Sequence, residues 1–244
     1  MSRTLENIPY SNIAQEYPLQ VSIEDPIDFI KKQKCYNPYL VKKQYDILFY
    51  DKNIEFVILK HLARGSSMCI ENIDITIIDN LDVHSTYEID FCDSSQYRFI
   101  YGNITLYFSF SDEEEEEDTH AMAILIDNYY KEIEVFEPQG AIADWYKPVM
   151  WYLEDTLSKA YPDYRFMPNA DLCPYFGIQY KSMRPICASI TLLFFWSRIV
   201  NPNLRSHDLV NKLLSHSQRE LNIILDKFIC YIYQYATMFH LIDK

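Results

Sequence analysis

The chain has 244 residues, with 22 Lys and Arg against 35 Asp and Glu, a formal charge of −13. Its length suffices for one large domain or a core with a smaller appendage. Setting aside the seven carboxylates of 112–118 still leaves 28 acidic against 22 basic residues, or −6, which argues against a nucleic-acid groove.

Six cysteines, at 35, 69, 92, 173, 187 and 230, are scattered without a CxxC pair and read as free thiols of a reducing compartment. With only Gly65, Gly102, Gly140 and Gly177, neither a Walker loop nor a dinucleotide fingerprint can be assembled. His84 and Cys92 lack a second close pair, so no metal and no cofactor is expected. The opening MSRTLENIPYSNIAQ has no signal-type apolar core, and the apolar run ASITLLFFW at 188–196 is too short to span a bilayer. An intracellular chain without a membrane segment is expected.

In chain order, residues 1 to about 22 read as irregular. DPIDFIKKQK and the stretch from Tyr39 to Phe56 carry helical periodicity with charged faces. From Ile73 short β-rich runs begin: IDITII, then YRFIY and NITLYFSF on either side of Gly102-Asn103, which reads as a hairpin turn. The acidic run Asp112–Asp118 reads as a solvated loop, because adjacent like charges repel and gain nothing from burial. THAMAILI and KEIEVFEP follow as a hairpin joined by DNYY. Centring that hairpin between Asn128 and Tyr129 pairs Ile124 with Ile133, Met122 with Val135, and His120 with Glu137. A helix is predicted from Asp144 to about Tyr161, then a short strand around YRFMP. Pro185 and Ile186 precede Cys187 and a nearly uninterrupted apolar segment, which predicts a buried helix starting at or just after the cysteine.

Two features stand out chemically. Directly opposed strand residues lie close enough for a carboxylate to hold an imidazole, so His120 and Glu137 at the mouth of an apolar face form a candidate pair. Taken alone, such a pair reads as a structural hydrogen bond. A cysteine at a helix N-terminus meets unpaired N–H groups and the positive dipole end, which favour a thiolate. Taken alone, it reads as a small core residue.

The order His, Glu, Gln, Cys, in HAMAILI…VFEPQG and GIQ…PICASITLLFFW, resembles the adenain-like cysteine peptidases, the adenovirus-proteinase branch of the clan that includes SUMO-deconjugating proteases. It looks closest to the maturation proteases of large DNA viruses. The resemblance covers about 100 to 200 and is most specific at His120, Glu137 within FEPxG, and Cys187 heading an apolar helix. It departs at Ala121, where an aromatic residue is common, at Ala188, where Gly is usual, and in the eight-residue step from Gln179 to Cys187. The resemblance implies His120 as general base, Glu137 as its orienting acid, Cys187 as nucleophile and Gln179 as oxyanion donor, with Gln139 as the fallback.

It also implies an α+β fold: a papain-like core at 101–244 with a central mixed sheet, a buried helix headed by Cys187, and a mainly helical extension at 1–100 forming an arm or docking region. The expected activity is a thiol endopeptidase that processes viral structural polyproteins after a small residue such as Gly, in the host cytoplasm or virion. Deconjugation of ubiquitin-like modifiers is a related possibility. Three other readings stay open: an acetyltransferase of the same clan, an inactive interaction module, and a reversed arrangement in which His207, His216 or His240 serves Cys187 or Cys173.

Overall fold

The computed structural model of the chain describes residues 23–64, 66, 68–78, 82–85, 96–108, 119–143, 145–172 and 176–242. Residues 1–22, the acidic run Asp112–Asp118, Cys92 and Cys173 lie outside them, as does the His84 side chain.

Three helices lead into the sheet. α1 (Pro26–Lys31) begins where Asp25 accepts a hydrogen bond from the Asp28 N–H, with Pro26 in the first turn. α2 (Val41–Phe49) follows, and α3 (Lys52–Leu62) is capped by Asp51 accepting from the Asn53 N–H at 2.8 Å. β1 (Met68–Ile78) begins ahead of the expected Ile73, and β2 (Asp82–Ser85) folds back against it. β3 (Phe99–Phe108), β4 (Thr119–Asp127) and β5 (Glu132–Phe136) continue the sheet. Then come α4 (Tyr146–Ala160), β6 (Arg165–Met167), α5 (Asn169–Leu172) and α6 (Ile178–Ser182). α7 (Cys187–Val200), α8 (Ser206–Ser215) and α9 (Gln218–Met238) complete the described chain.

The strand order is β2-β1-β3-β4-β5-β6. β1 runs parallel to β3 and β5 parallel to β6, whereas the β1/β2, β3/β4 and β4/β5 pairs are antiparallel. The fold is therefore α+β with a mixed sheet. A division at residue 100 would cut through β3, which is laddered to β1 along its length.

Strand alternation splits the apolar side chains between two faces. Ile104, Met122, Ile124 and Val135 pack against Val149, Leu153 and Leu157 of α4. Tyr101, Ala123, Leu125 and Phe136 face a larger core holding Phe194 and Trp196 of α7, Phe228 of α9, and Ile27, Leu48 and Ile58 of the N-terminal helices. α7 is apolar on every side because it is buried on every side, with Ser189 through Arg198 all shielded.

Three expectations require correction. Gly102-Asn103 is not a turn: β3 passes through it unbroken, laddered to β1 on one side and β4 on the other. Glycine there leaves room for the end of the Ile73 side chain, whose Cδ1 would stand 2.7 Å from an added Cβ and would have to swing aside. The β4–β5 hairpin is slipped by two residues from the expected register, pairing Ile124 with Val135 and Ile126 with Ile133. The Asp127 carboxylate accepts from the Tyr129 and Tyr130 N–H groups at 3.0 and 3.3 Å, and Lys131 takes a left-handed φ of 53°. The turn thus spans residues 128–131. Finally, Cys35, Cys187 and Cys230 are free thiols, but Cys69 is disulfide-bonded.

Among the described residues, no helix is long and apolar enough to cross a membrane.

Candidate active site

A two-residue slip leaves every side chain on its original face, because the strand period is two. Glu137 therefore still reaches His120, diagonally rather than directly. His120 Nε2 stands 2.7 Å from Glu137 Oε1, with the ring almost shielded and the carboxylate fully so. The β4–β5 ladder ends at Ala123 and Phe136, so the first residues of β4 pair with β3 but not with β5. The cleft opens in that gap.

The turn after β5 holds the acid. The Gln139 N–H donates to Glu137 Oε1 at 2.6 Å, and the Gly140 N–H closes onto the Glu137 carbonyl at 3.1 Å. Gly140 has a φ of 94°, which favours glycine. Trp145 lies against the imidazole with ring centroids 5.2 Å apart.

α7 begins at Cys187, as its sequence predicted, after Pro185 and Ile186. Its first N–H groups have no acceptor within the helix. The thiol is half-buried, not sealed in the core, and lies beside His120, whose proton it helps to hold. With Nε2 engaged by Glu137, Nδ1 is the ring nitrogen left for the sulfur. Burial pulls the His120 pKa down, but the Glu137 charge and the hydrogen bonds to Cys187 and Glu137 outweigh it and hold the pKa well above the ordinary value. The site thus retains a proton on the imidazole, beside an acceptor that orients it.

Gln179 comes from α6, whose N-terminus is zipped to the turn carrying Glu137. The Gly177 N–H donates to the Gln139 carbonyl at 2.8 Å, and the Gln179 N–H to the Pro138 carbonyl at 2.7 Å. The chain then reverses at Met183, with a φ of 58°, which uses up the extra residues between Gln179 and Cys187. His120, Gln139, Gln179 and Cys187 line one cavity of about 750 Å³. Both glutamines therefore reach the cavity that Cys187 lines. His207 is exposed on α8, and His207, His216 and His240 are absent from the cavity wall.

The N-terminal helices also reach the cleft: Tyr45, Phe49 and Tyr50 of α2 and its end, and Glu55 of α3, line the same cavity. These residues carried no sequence signal beyond helical periodicity. In Glu55 the available signal was a carboxylate inside the otherwise apolar run IEFVIL.

No protein-family model matches the chain, and no curated protein matches its sequence.

Proposed function

We propose that the chain is a cysteine endopeptidase that cleaves extended protein segments after a small residue, with viral structural polyproteins as the substrate class its sequence resemblance favours. One observation carries this reading: a helix-heading thiol beside an imidazole that is itself held 2.7 Å from a buried carboxylate, with the thiol and the imidazole lining one cavity.

The chemistry follows from the arrangement. The Cys187 thiolate attacks the scissile carbonyl carbon, and the carbonyl π electrons move to oxygen. The Cys187 N–H and a glutamine amide, Gln179 first, donate to that oxyanion. The imidazolium gives its proton to the leaving amine as the C–N bond breaks, and an acyl-enzyme remains. His120 then takes a proton from water, hydroxide adds to the thioester carbonyl, and thiolate leaves with release of the acid. Glu137 fixes the tautomer throughout. Release of a ubiquitin-like modifier is the same acyl chemistry on an isopeptide bond.

The test is a peptide vinyl sulfone ending in Gly-Gly, read by mass spectrometry, alongside cleavage of unfolded polypeptides. Wild type labels at Cys187 and cleaves, whereas Cys187→Ala and His120→Ala do neither. Acyl transfer from acetyl-CoA without proteolysis, or an unreactive Cys187, would overturn the proposal.

A further inference from the structure

Among the described residues, Glu55 is the carboxylate on the cavity wall, and the proposed chemistry does not use it. It is 6% exposed, it lines the cavity with His120 and Cys187, and its Oε1 has no hydrogen-bond partner among the described residues. Among the described residues no cation offsets its burial, which pushes the pKa up to about 8. The titratable groups near it are Tyr45 of α2 and Tyr101 of β3, and His120 of β4 and Cys187 at the head of α7 line the same cavity. At neutral pH it is mostly a neutral acid, offering one O–H donor and one carbonyl acceptor on the same edge.

A buried polar group left without a partner costs stability, on the order of 1–3 kcal/mol. A partner that arrives with the ligand removes that cost. An extended residue in a peptide presents its own N–H and C=O toward the same side, as antiparallel pairing requires. A protonated carboxyl matches that edge with its acceptor and its donor. The alternative ligand, a substrate cation, would have to be drawn into a site whose burial disfavours the carboxylate form.

We infer that Glu55 is a substrate-positioning residue, binding the main-chain N–H and C=O of one extended substrate residue inside the cleft. The inference rests on the peptidase reading and deepens it, since it makes the helical N-terminal region a wall of the substrate site and assigns recognition there to backbone, not side chain.

Peptide vinyl sulfones in which each internal nitrogen is methylated in turn provide the test, with iodoacetamide as a small control reagent. Glu55→Leu slows peptidyl labelling of Cys187 about tenfold, the worth of one or two neutral hydrogen bonds, but leaves iodoacetamide alkylation as in wild type. One methylated position costs wild type a similar factor and costs Glu55→Leu nothing, since the lost contact is the same one. Glu55→Gln, which keeps a donor and an acceptor, restores most of the labelling. The wild-type KM rises as pH passes through about 8, and that rise disappears in Glu55→Gln. Glu55→Leu is no less heat-stable than wild type, the opposite of what a structural role predicts. If wild type is labelled and Glu55→Leu is labelled equally fast, or no methylated position becomes silent in Glu55→Leu, this inference alone falls. If wild type takes iodoacetamide but no peptidyl probe, the peptidase reading falls and takes this inference with it.

Discussion

Gly177 sits where the turn of Glu137 and the loop of Gln179 touch, and replacing it with alanine tests whether that contact organises the site. Its φ of −78° is ordinary, so the issue is space. An added Cβ would stand 2.4 Å from the Pro138 carbonyl oxygen and 2.6 Å from both Gln139 C and Gly140 N, all backbone atoms. Reaching even 3.0 Å requires the segments to part by about 0.6 Å, which stretches the 2.8 and 2.7 Å hydrogen bonds joining them to the edge of useful geometry. Losing most of two net contributions costs about 1–3 kcal/mol. At roughly 2–4 °C per kcal/mol, Tm drops by about 2–12 °C. Activity suffers more than stability, because the Gln139 N–H anchors Glu137 and Gln179 moves with the same loop; a displacement near 1 Å can cost about 100-fold, in kcat more than KM. Differential scanning calorimetry and steady-state kinetics on one peptide read both effects. Gly102→Ala is the control, since its Cβ meets only the end of the Ile73 side chain, which can swing away. A Gly177→Ala protein with wild-type Tm and kcat would refute the reasoning.

Two further predictions concern the proton and the oxyanion. His120 has a folded pKa above its unfolded value of about 6.5, so its protonation contributes stability that is fully present below that pH and lost as pH rises through the folded value. The alkaline limb of kcat therefore lies well above pH 6.5 and moves down in Glu137→Gln, together with the alkaline edge of the stability profile; an unmoved limb would assign it to another group. Gln179→Ala lowers kcat by about 10²–10³, the usual effect of losing one oxyanion donor, while Gln139→Ala does so less. Kinetics showing the reverse order would exchange their roles.

Local chemistry was legible where neighbouring residues decide it. Pro185-Ile186-Cys187 before an apolar run marked the head of α7 at or just after the cysteine, and it begins at Cys187, because proline and helix burial are both local signals. The His120–Glu137 contact survived a wrong register, because a slip of two preserves the face. What failed depended on distant partners. Gly102-Asn103 carries turn chemistry, yet two flanking strands keep it extended. The bond of Cys69 was hidden because pairing requires proximity in space, which scattered cysteines do not announce. The place of Glu55 on the cavity wall was likewise invisible, since a carboxylate in an amphipathic helix says nothing about what it faces.

The geometry of β4 and α7 explains how a strand and a helix from distant parts of the sequence hold His120 and Cys187 in register. β4 carries His120 near its first residue and Asp127 at its last; α7 carries Cys187 first and Arg198 near its end. His120 meets Cys187 at one end, and Arg198 approaches Asp127 at 3.7 Å at the other. Seven strand steps span about 23 Å, and eleven helical steps only about 16 Å. A long side chain is needed to close the difference, and arginine provides it while its fork also reaches the Leu204 carbonyl at 2.5 Å and Ser206 Oγ at 3.1 Å. A charge this deeply buried is costly, and its Nε has no hydrogen-bond partner among the described residues; a shorter or apolar residue could fill the space but would not register the helix. Two contacts fix a rod against sliding where one would not. The buried arginine is therefore best understood as the far anchor of the helix whose near end carries the thiol.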